Sequence, residues 1–317
     1  MDLQQALPTP KVSTGISFYK RKMWTYNFNI HDYKSGRAHM FLWDEVTAKR
    51  GANEICSCIQ KFINSFVPQD VTRLFIFSDN CSGQNKNFTL LIFYLSLIHS
   101  SRFKEITQIY FVAGHTYMAA DRDFALIEKN MRNHSYVFTP DEHKEIIKNT
   151  KKSSETPFHV VDMKQDDFKD FHSLKQYVTR RNPSRFRFSD ACYFRVSHAN
   201  KAGYLCDNNY TSLREGGWEH VRVEKGTHSR SDTTFNLSQY SVARLYDGPI
   251  PLPKPKLDDL RVLVRDLVPP FIQRTYWNNI LEVAAEPDVS SGPHAEEADS
   301  NQEIEENLSG RGFYDYD

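Results

Sequence analysis

The chain has 317 residues, 39% of them hydrophobic and 25% charged, with 40 basic and 40 acidic side chains in balance. That length can bury a sizeable core in one large domain or two ordinary ones, and the composition is that of a soluble, mostly globular protein. Five cysteines without paired CxxC spacing argue against a disulfide framework or a zinc ribbon, and the longest apolar run, LLIFYLSLI, is about half of the roughly 20 residues that cross a bilayer.

Residues 1–22 read as an N-terminal extension whose polar, proline-broken opening, MDLQQALPTP, lacks the apolar core of a secretory leader. A nuclear or cytoplasmic, non-secreted protein with no membrane segment is expected. WTYNFNI (Trp24 to Ile30) and RAHMFLW (Arg37 to Trp43) are strand-like and joined through HDYKSG, whose Asp and Gly suit a hairpin turn. NEICSCIQKFINSF then sets Ile55, Cys58, Ile59, Phe62, Ile63 and Phe66 at helical spacing. TRLFIFSD reads as a buried strand, NFTLLIFYLSLIHS as a helix apolar on nearly every side, and ITQIYFVAG as another strand. In the helix that follows, Phe124, Ile127 and Met131 mark the apolar face. Strand–strand–helix–strand–helix–strand–helix over residues 24–133 implies a layered α/β sheet.

Acidic residues fall at telling places in this order. Asp32 ends the first strand, Glu54 lies in the first turn of the first helix, Asp79 tips the next strand, and Asp121 and Glu128 share an edge of the last helix, about 20° apart on a helical wheel. Carboxylates drawn from separate elements are what Mg²⁺- or Mn²⁺-dependent phosphoryl transfer requires. The plainer reading gives Asp32 and Asp79 to turns, Glu54 to its helix N-terminus, and Asp121 and Glu128 to a solvated flank. A cysteine nucleophile at Cys81 beside His115 has no supporting signature, and a zinc site from Cys56, Cys58, Cys81 and His115 is poor because residues two apart on a helix diverge.

The blocks YNFNIHD, WDEVTAKRGANEICSCIQKFI, FIFSDNCSGQNKN and GHTYMAADRDFALIEK, with VPPFIQRTYWNNIL near the end, resemble an uncharacterised, transposon-associated eukaryotic domain family. The resemblance covers most of residues 2–282. It implies a ribonuclease H-like, DDE transposase-type fold: a mixed sheet flanked by helices over residues 23–175, with a small β-rich basic appendage at 176–248. By the same resemblance Asp32 is the first catalytic acid, Asp79 the second and Asp121 or Glu128 the third. Asp32 departs from the pattern by sitting at its strand's end, and only two convincing strands precede the first helix where such a fold has three. The chain opens on a block similar to the family's interior, as a fragment or decayed copy would.

In the appendage, YVTRRNPSRFRF alternates Arg180, Arg181, Arg185 and Arg187 with aromatics, a mixture suited to phosphates and stacked bases. Residues 249–284 read as a proline-rich linker and closing helix, and 285–317 as a disordered acidic tail. Ten acidic residues and one basic residue lie in that tail, which leaves 30 acidic and 39 basic before it, a body of net charge +9. Nucleic acid, DNA in particular, is the expected partner. The functional expectation is a two-metal nuclease or strand-transfer enzyme; the alternative is a non-catalytic, domesticated module that binds nucleic acid or protein.

Overall fold

The structure, a computed structural model, describes residues 1–81, 84–111, 118–178, 188–207, 218–223 and 235–285. Arg180, Arg181, Arg185, Arg187, His115 and the acidic tail from Glu286 onward lie outside these residues. The first residues form β1 (Asp2–Leu3), β2 (Leu7–Thr9), β3 (Lys11–Val12) and a single helical turn, α1 (Gly15–Phe18). They are part of the first sheet: β1 and β2 both pair antiparallel with β4 (Met23–Asp32).

β4 and β5 (Arg37–Asp44) form the hairpin expected from their alternation, with Thr25 opposite Asp44 and Asp32 opposite Arg37. Gly36 closes the turn at φ +67°, in the left-handed region that only glycine enters freely, and its amide donates to Asp32 O at 2.8 Å. The sheet order is β1-β4-β5-β9, in which β9 (His159–Asp162) runs parallel to β5. β9 lies far along the chain, after α5, whereas the strands that precede α2 besides β4 and β5 are the two- and three-residue β1 to β3, too short to carry a legible period.

α2 (Ala52–Phe66) buries Ile55, Ile59, Phe62 and Ile63 against this sheet, as its apolar spacing dictates. β6 (Arg73–Ser78), α3 (Phe88–His99), β7 (Glu105–Tyr110) and α4 (Ala119–Arg132) follow. β6 and β7 are parallel, and α3, buried on almost every side, packs against α2 and the second sheet. That sheet runs β6-β7-β10-β11-β12, adding β10 (Tyr193–Ser197), β11 (Asn200–Asp207) and β12 (Glu219–Arg222). The β-rich segment therefore extends the β6–β7 sheet instead of standing apart, because β10 finds its partner in β7.

β8 (Tyr136–Val137) pairs with β3, and α5 (Pro140–Thr150) packs with α4 over β5, where Met40, Leu42, Phe124, Ile127, Ile146 and Ile147 form a second core. α6 (Lys254–Leu267), α7 (Pro270–Ile272) and α8 (Asn278–Val283) close a third core around Trp277 and Met23, with the Trp277 indole donating to Phe138 O at 2.9 Å. Met1–Ala285 form one compact unit. No helix among the described residues is long and apolar enough to cross a membrane.

Candidate functional site

The stretch FIFSDN carries β6 to its end at Ser78 and delivers Asp79 to the tip. There one carboxylate oxygen of Asp79, Oδ1, accepts from the Asn85 amide at 2.6 Å and from the Cys81 backbone at 3.3 Å. Asn85 is fully buried, and its backbone carbonyl accepts from the Tyr110 hydroxyl at 2.9 Å. Asn87 caps α3 by accepting from the Leu90 amide at 2.9 Å. Asp, Asn and Asn in this turn are thus each fixed by a local hydrogen bond, as short polar side chains at a strand-to-helix junction usually are.

Asp121 occupies the third position of α4, where its Oδ2 accepts from the Met118 amide at 2.7 Å and closes a capping box. Asp2, on β1, accepts from the Leu3 amide at 2.8 Å through Oδ1. Each of the three carboxylates therefore has one oxygen held by its own backbone neighbourhood and one without a partner among the described residues. Burial first, then the charge of Asp79 and to a smaller extent that of Asp121, push the Asp2 carboxyl up to about 7. The Met1 amino group lies in the same field, and burial drives it down to about 6 against the pull of Asp2, Asp79 and Asp121.

The other acids singled out by the sequence are engaged elsewhere. Asp32 holds the β4–β5 turn with both oxygens, accepting from the Lys34 amide at 2.9 Å and the Ser35 hydroxyl at 2.6 Å. It also borders a cavity of about 330 Å³ shared with Met1 and Met118. Glu54 is 4% exposed at the start of α2, where it accepts from the Gly51 amide at 2.9 Å and from the Tyr246 hydroxyl. Glu128 is exposed on the outer side of α4. Of the two candidates for a third acid, Asp121 is the one whose charge, with that of Asp79, acts on the Asp2 carboxyl. Burial raises the thiols of Cys56 and Cys58 well above their ordinary range, which leaves both as inert core residues.

A second polar group, beneath the first, was not read from the sequence. Asn27, Asn29 and His31 alternate on one face of β4; Asn27 donates to Gln4 at 3.0 Å, Asn29 donates to Asp123 Oδ2 at 3.0 Å, and His31 Nδ1 meets the same oxygen at 2.7 Å. Asp123, 4% exposed, shares its helix face with Ile127 and Met131. An acid within an apolar stripe was the available signal. In the neutral imidazole the carboxylate accepts from Nδ1–H and leaves Nε2 as the basic nitrogen, on a ring that borders the cavity.

As for a metal, hard carboxylate oxygens are the donors that Mg²⁺ or Mn²⁺ takes, and the Asp79 and Asp121 charges that add to the effect of burial on Asp2 are ones a cation would offset. Among the described residues no three His, Cys, Asp or Glu side chains stand at ligand spacing for one ion. In donor chemistry the three acids fit such an ion.

These elements define a mixed α/β domain in which the charges of acids at a strand tip and a helix start act on an acid of an edge strand. The chain belongs to the family described as Domain of unknown function (DUF7869), which matches residues 29–202, just over half of the 317. No curated protein and no solved structure matches the chain.

Proposed function

We propose that this chain is a ribonuclease H-like, transposase-derived domain that acts on nucleic-acid phosphodiesters, with Asp2, Asp79 and Asp121 as the carboxylates that hold Mg²⁺ or Mn²⁺. The observation that carries this reading is that the charges of Asp79 and Asp121, on separate elements, act on the Asp2 carboxyl, and that each of the three acids keeps an oxygen without a partner among the described residues. The antiparallel β4–β5 hairpin, the helix after it and the parallel β6–β7 pair support it, because they follow the order of that fold class. A bound divalent ion in such a site supplies charge stabilisation at the oxygens of the displaced phosphate. The protein's part is to position three acids on rigid elements.

Melting curves with and without millimolar Mn²⁺ test the metal half. Wild type should rise by several degrees through mass action, while Asp79→Asn and Asp2→Asn should lose that rise and keep their fold. Strand cleavage in Mn²⁺ tests the catalytic half. The second reading, a binding module that no longer cuts, is favoured by the local engagement of Asp32 and Glu54, and metal-independent melting with no cleavage would establish it over the first.

DNA is the proposed partner on the strength of the basic body. Affinity should fall steeply with salt, and replacing Arg180, Arg181, Arg185 and Arg187 together should flatten that slope. Absence of binding at low salt would remove nucleic acid from either reading.

A further inference from the structure

We propose that the cavity beyond the carboxyl ends of β5 and β9 is a binding site for a free α-amino acid with an aliphatic side chain, whose ammonium group pairs with Asp44 and whose carboxylate pairs with Lys164. β5 and β9 run parallel, and the crevice outside the carboxyl ends of parallel strands is where α/β sheets gather ligand groups. Leu42 stands opposite Asp162, and the Met163 amide carries the ladder on by donating to Leu42 O at 2.9 Å. Continued two residues, that register sets Lys164 level with Asp44, on strand lines about 5 Å apart. By strand alternation both lie on the face of Leu42 and Asp162, which α5 covers, and α8 closes another side through Asn279, Ile280 and Val283. The space they enclose is about 310 Å³, at the small end of ligand sites.

The charged groups of this cavity are unequally matched. Asp162 is held at both oxygens, Oδ1 by Lys144 at 2.5 Å and Oδ2 by Lys164, and Lys144 is held a second time by Asp141 at 2.8 Å. Asp44 is held on one side only. Its Oδ1 accepts from the Val46 amide at 3.1 Å and from the Thr47 amide and hydroxyl at 2.8 and 2.9 Å, while Oδ2 has no partner among the described residues. Burial raises the Asp44 carboxyl above its ordinary range in spite of the Thr47 bonds and the Lys144 charge, as in an acid short of cationic partners. Lys164 has a single acid partner and a side chain 73% exposed, so its ammonium group can donate to a second anion without leaving the first. A simple anion would meet Asp44, and a simple amine would meet Lys144 and Lys164; a zwitterion with both charges on one carbon matches Asp44 and Lys164 together. Val46, Pro140, Ile280 and Val283 add the apolar wall on which an aliphatic side chain rests. The Gln165 amide fixes the rim by donating to Thr47 O at 3.2 Å and to Gly248 O. The cavity shares no residue with the acids around Asp79 and needs no metal.

Isothermal titration of the full chain with L-leucine should show saturable binding. Isoamylamine, which lacks the carboxylate, and isocaproate, which lacks the ammonium group, should each bind about tenfold more weakly or worse, because each leaves one charge of the site unmatched. Asp44→Asn keeps an oxygen for the Val46 and Thr47 donors and removes only the charge, so it should erase the preference for leucine over isocaproate. Lys164→Gln, at an exposed position, should erase the preference for leucine over isoamylamine. The two analogues are compared on the wild type, so the outcome does not depend on either variant folding. No saturable heat at millimolar leucine, or an analogue that binds wild type as tightly as leucine does, would overturn the proposal. Leucine binding that both substitutions leave intact would also overturn it, by placing the ligand elsewhere on the chain.

Discussion

α2 and α4 begin in the same way, with an acid at the third position that accepts the backbone amide of the cap residue: Glu54 to Gly51 and Asp121 to Met118. Their surroundings differ. Glu54 is sealed beneath the Tyr246 hydroxyl, whose ionisation burial and the Glu54 charge suppress, and it is not among the charges acting on Asp2. Asp121 is half-exposed and shares its field with Asp2 and Asp79. The local motif is identical, so a capping bond does not tell a structural acid from a functional one. The charge that the rest of the fold brings to the second oxygen does.

The largest test of that contrast is Glu54→Ala. It removes a capping interaction of about 1 kcal/mol and deprives the Tyr246 O–H of its acceptor at a further cost of about 1–2 kcal/mol. Urea denaturation should report a loss of about 2–3 kcal/mol in total, independent of Mn²⁺. A loss that depends on metal would move Glu54 into the site and break the comparison.

Asp2→Asn should act in the opposite direction and only at higher pH. The folded Asp2 carboxyl titrates near 7, above its ordinary 3.8, so between these values the native state holds a proton that the unfolded chain has released. Stability contributed by this group therefore falls as pH rises from about 4 to 7. Replacing it should stabilise the protein by about 1–2 kcal/mol at pH 8 and leave it unchanged near pH 4. The wild-type profile alone does not isolate this effect. His39 and His143, both lowered to about 4 by burial, contribute stability that is lost as pH falls from about 6.5 to 4. The difference between Asp2→Asn and wild type cancels them.

Much of the layered order was legible because α2, α4, β4 and β6 follow simple periods, and Asp79 was legible because a carboxylate at a buried strand's tip is conspicuous. Asp2 was not, since β1 is two residues long and offers no period to read. Asp123 was hidden by the more exposed Asp121 in DRDF, although its spacing to Ile127 and Met131 places it on the buried face. β9 and β10 to β12 could not be assigned to their sheets because strand partners far along the chain leave no local trace. Asp32 and Glu54 have the residue types and positions of ligands; the turn that engages Asp32 is local and was one of its two readings, whereas the Tyr246 hydroxyl on Glu54 is a tertiary partner that leaves no local trace.

The smallest expected effect is the most direct measure of convergence. If Asp2 and Asp121 repel across the site, neutralising either one relieves part of the strain that the other feels, and the two substitutions are not additive. In a double-mutant cycle at pH 8, Asp2→Asn should stabilise the Asp121→Asn background by about 0.5–1 kcal/mol less than it stabilises wild type. Asn at position 121 still offers an oxygen to the Met118 amide, so the helix cap is kept and only the charge is removed. The matching cycle between Asp2→Asn and Glu54→Gln should give no coupling, because Glu54 has no part in the field on Asp2. A coupling that vanishes at pH 4 reports charge, and one that persists there reports a change of packing. Equal coupling in both cycles would erase the distinction between the two helix starts and return Asp121 to the role of a cap.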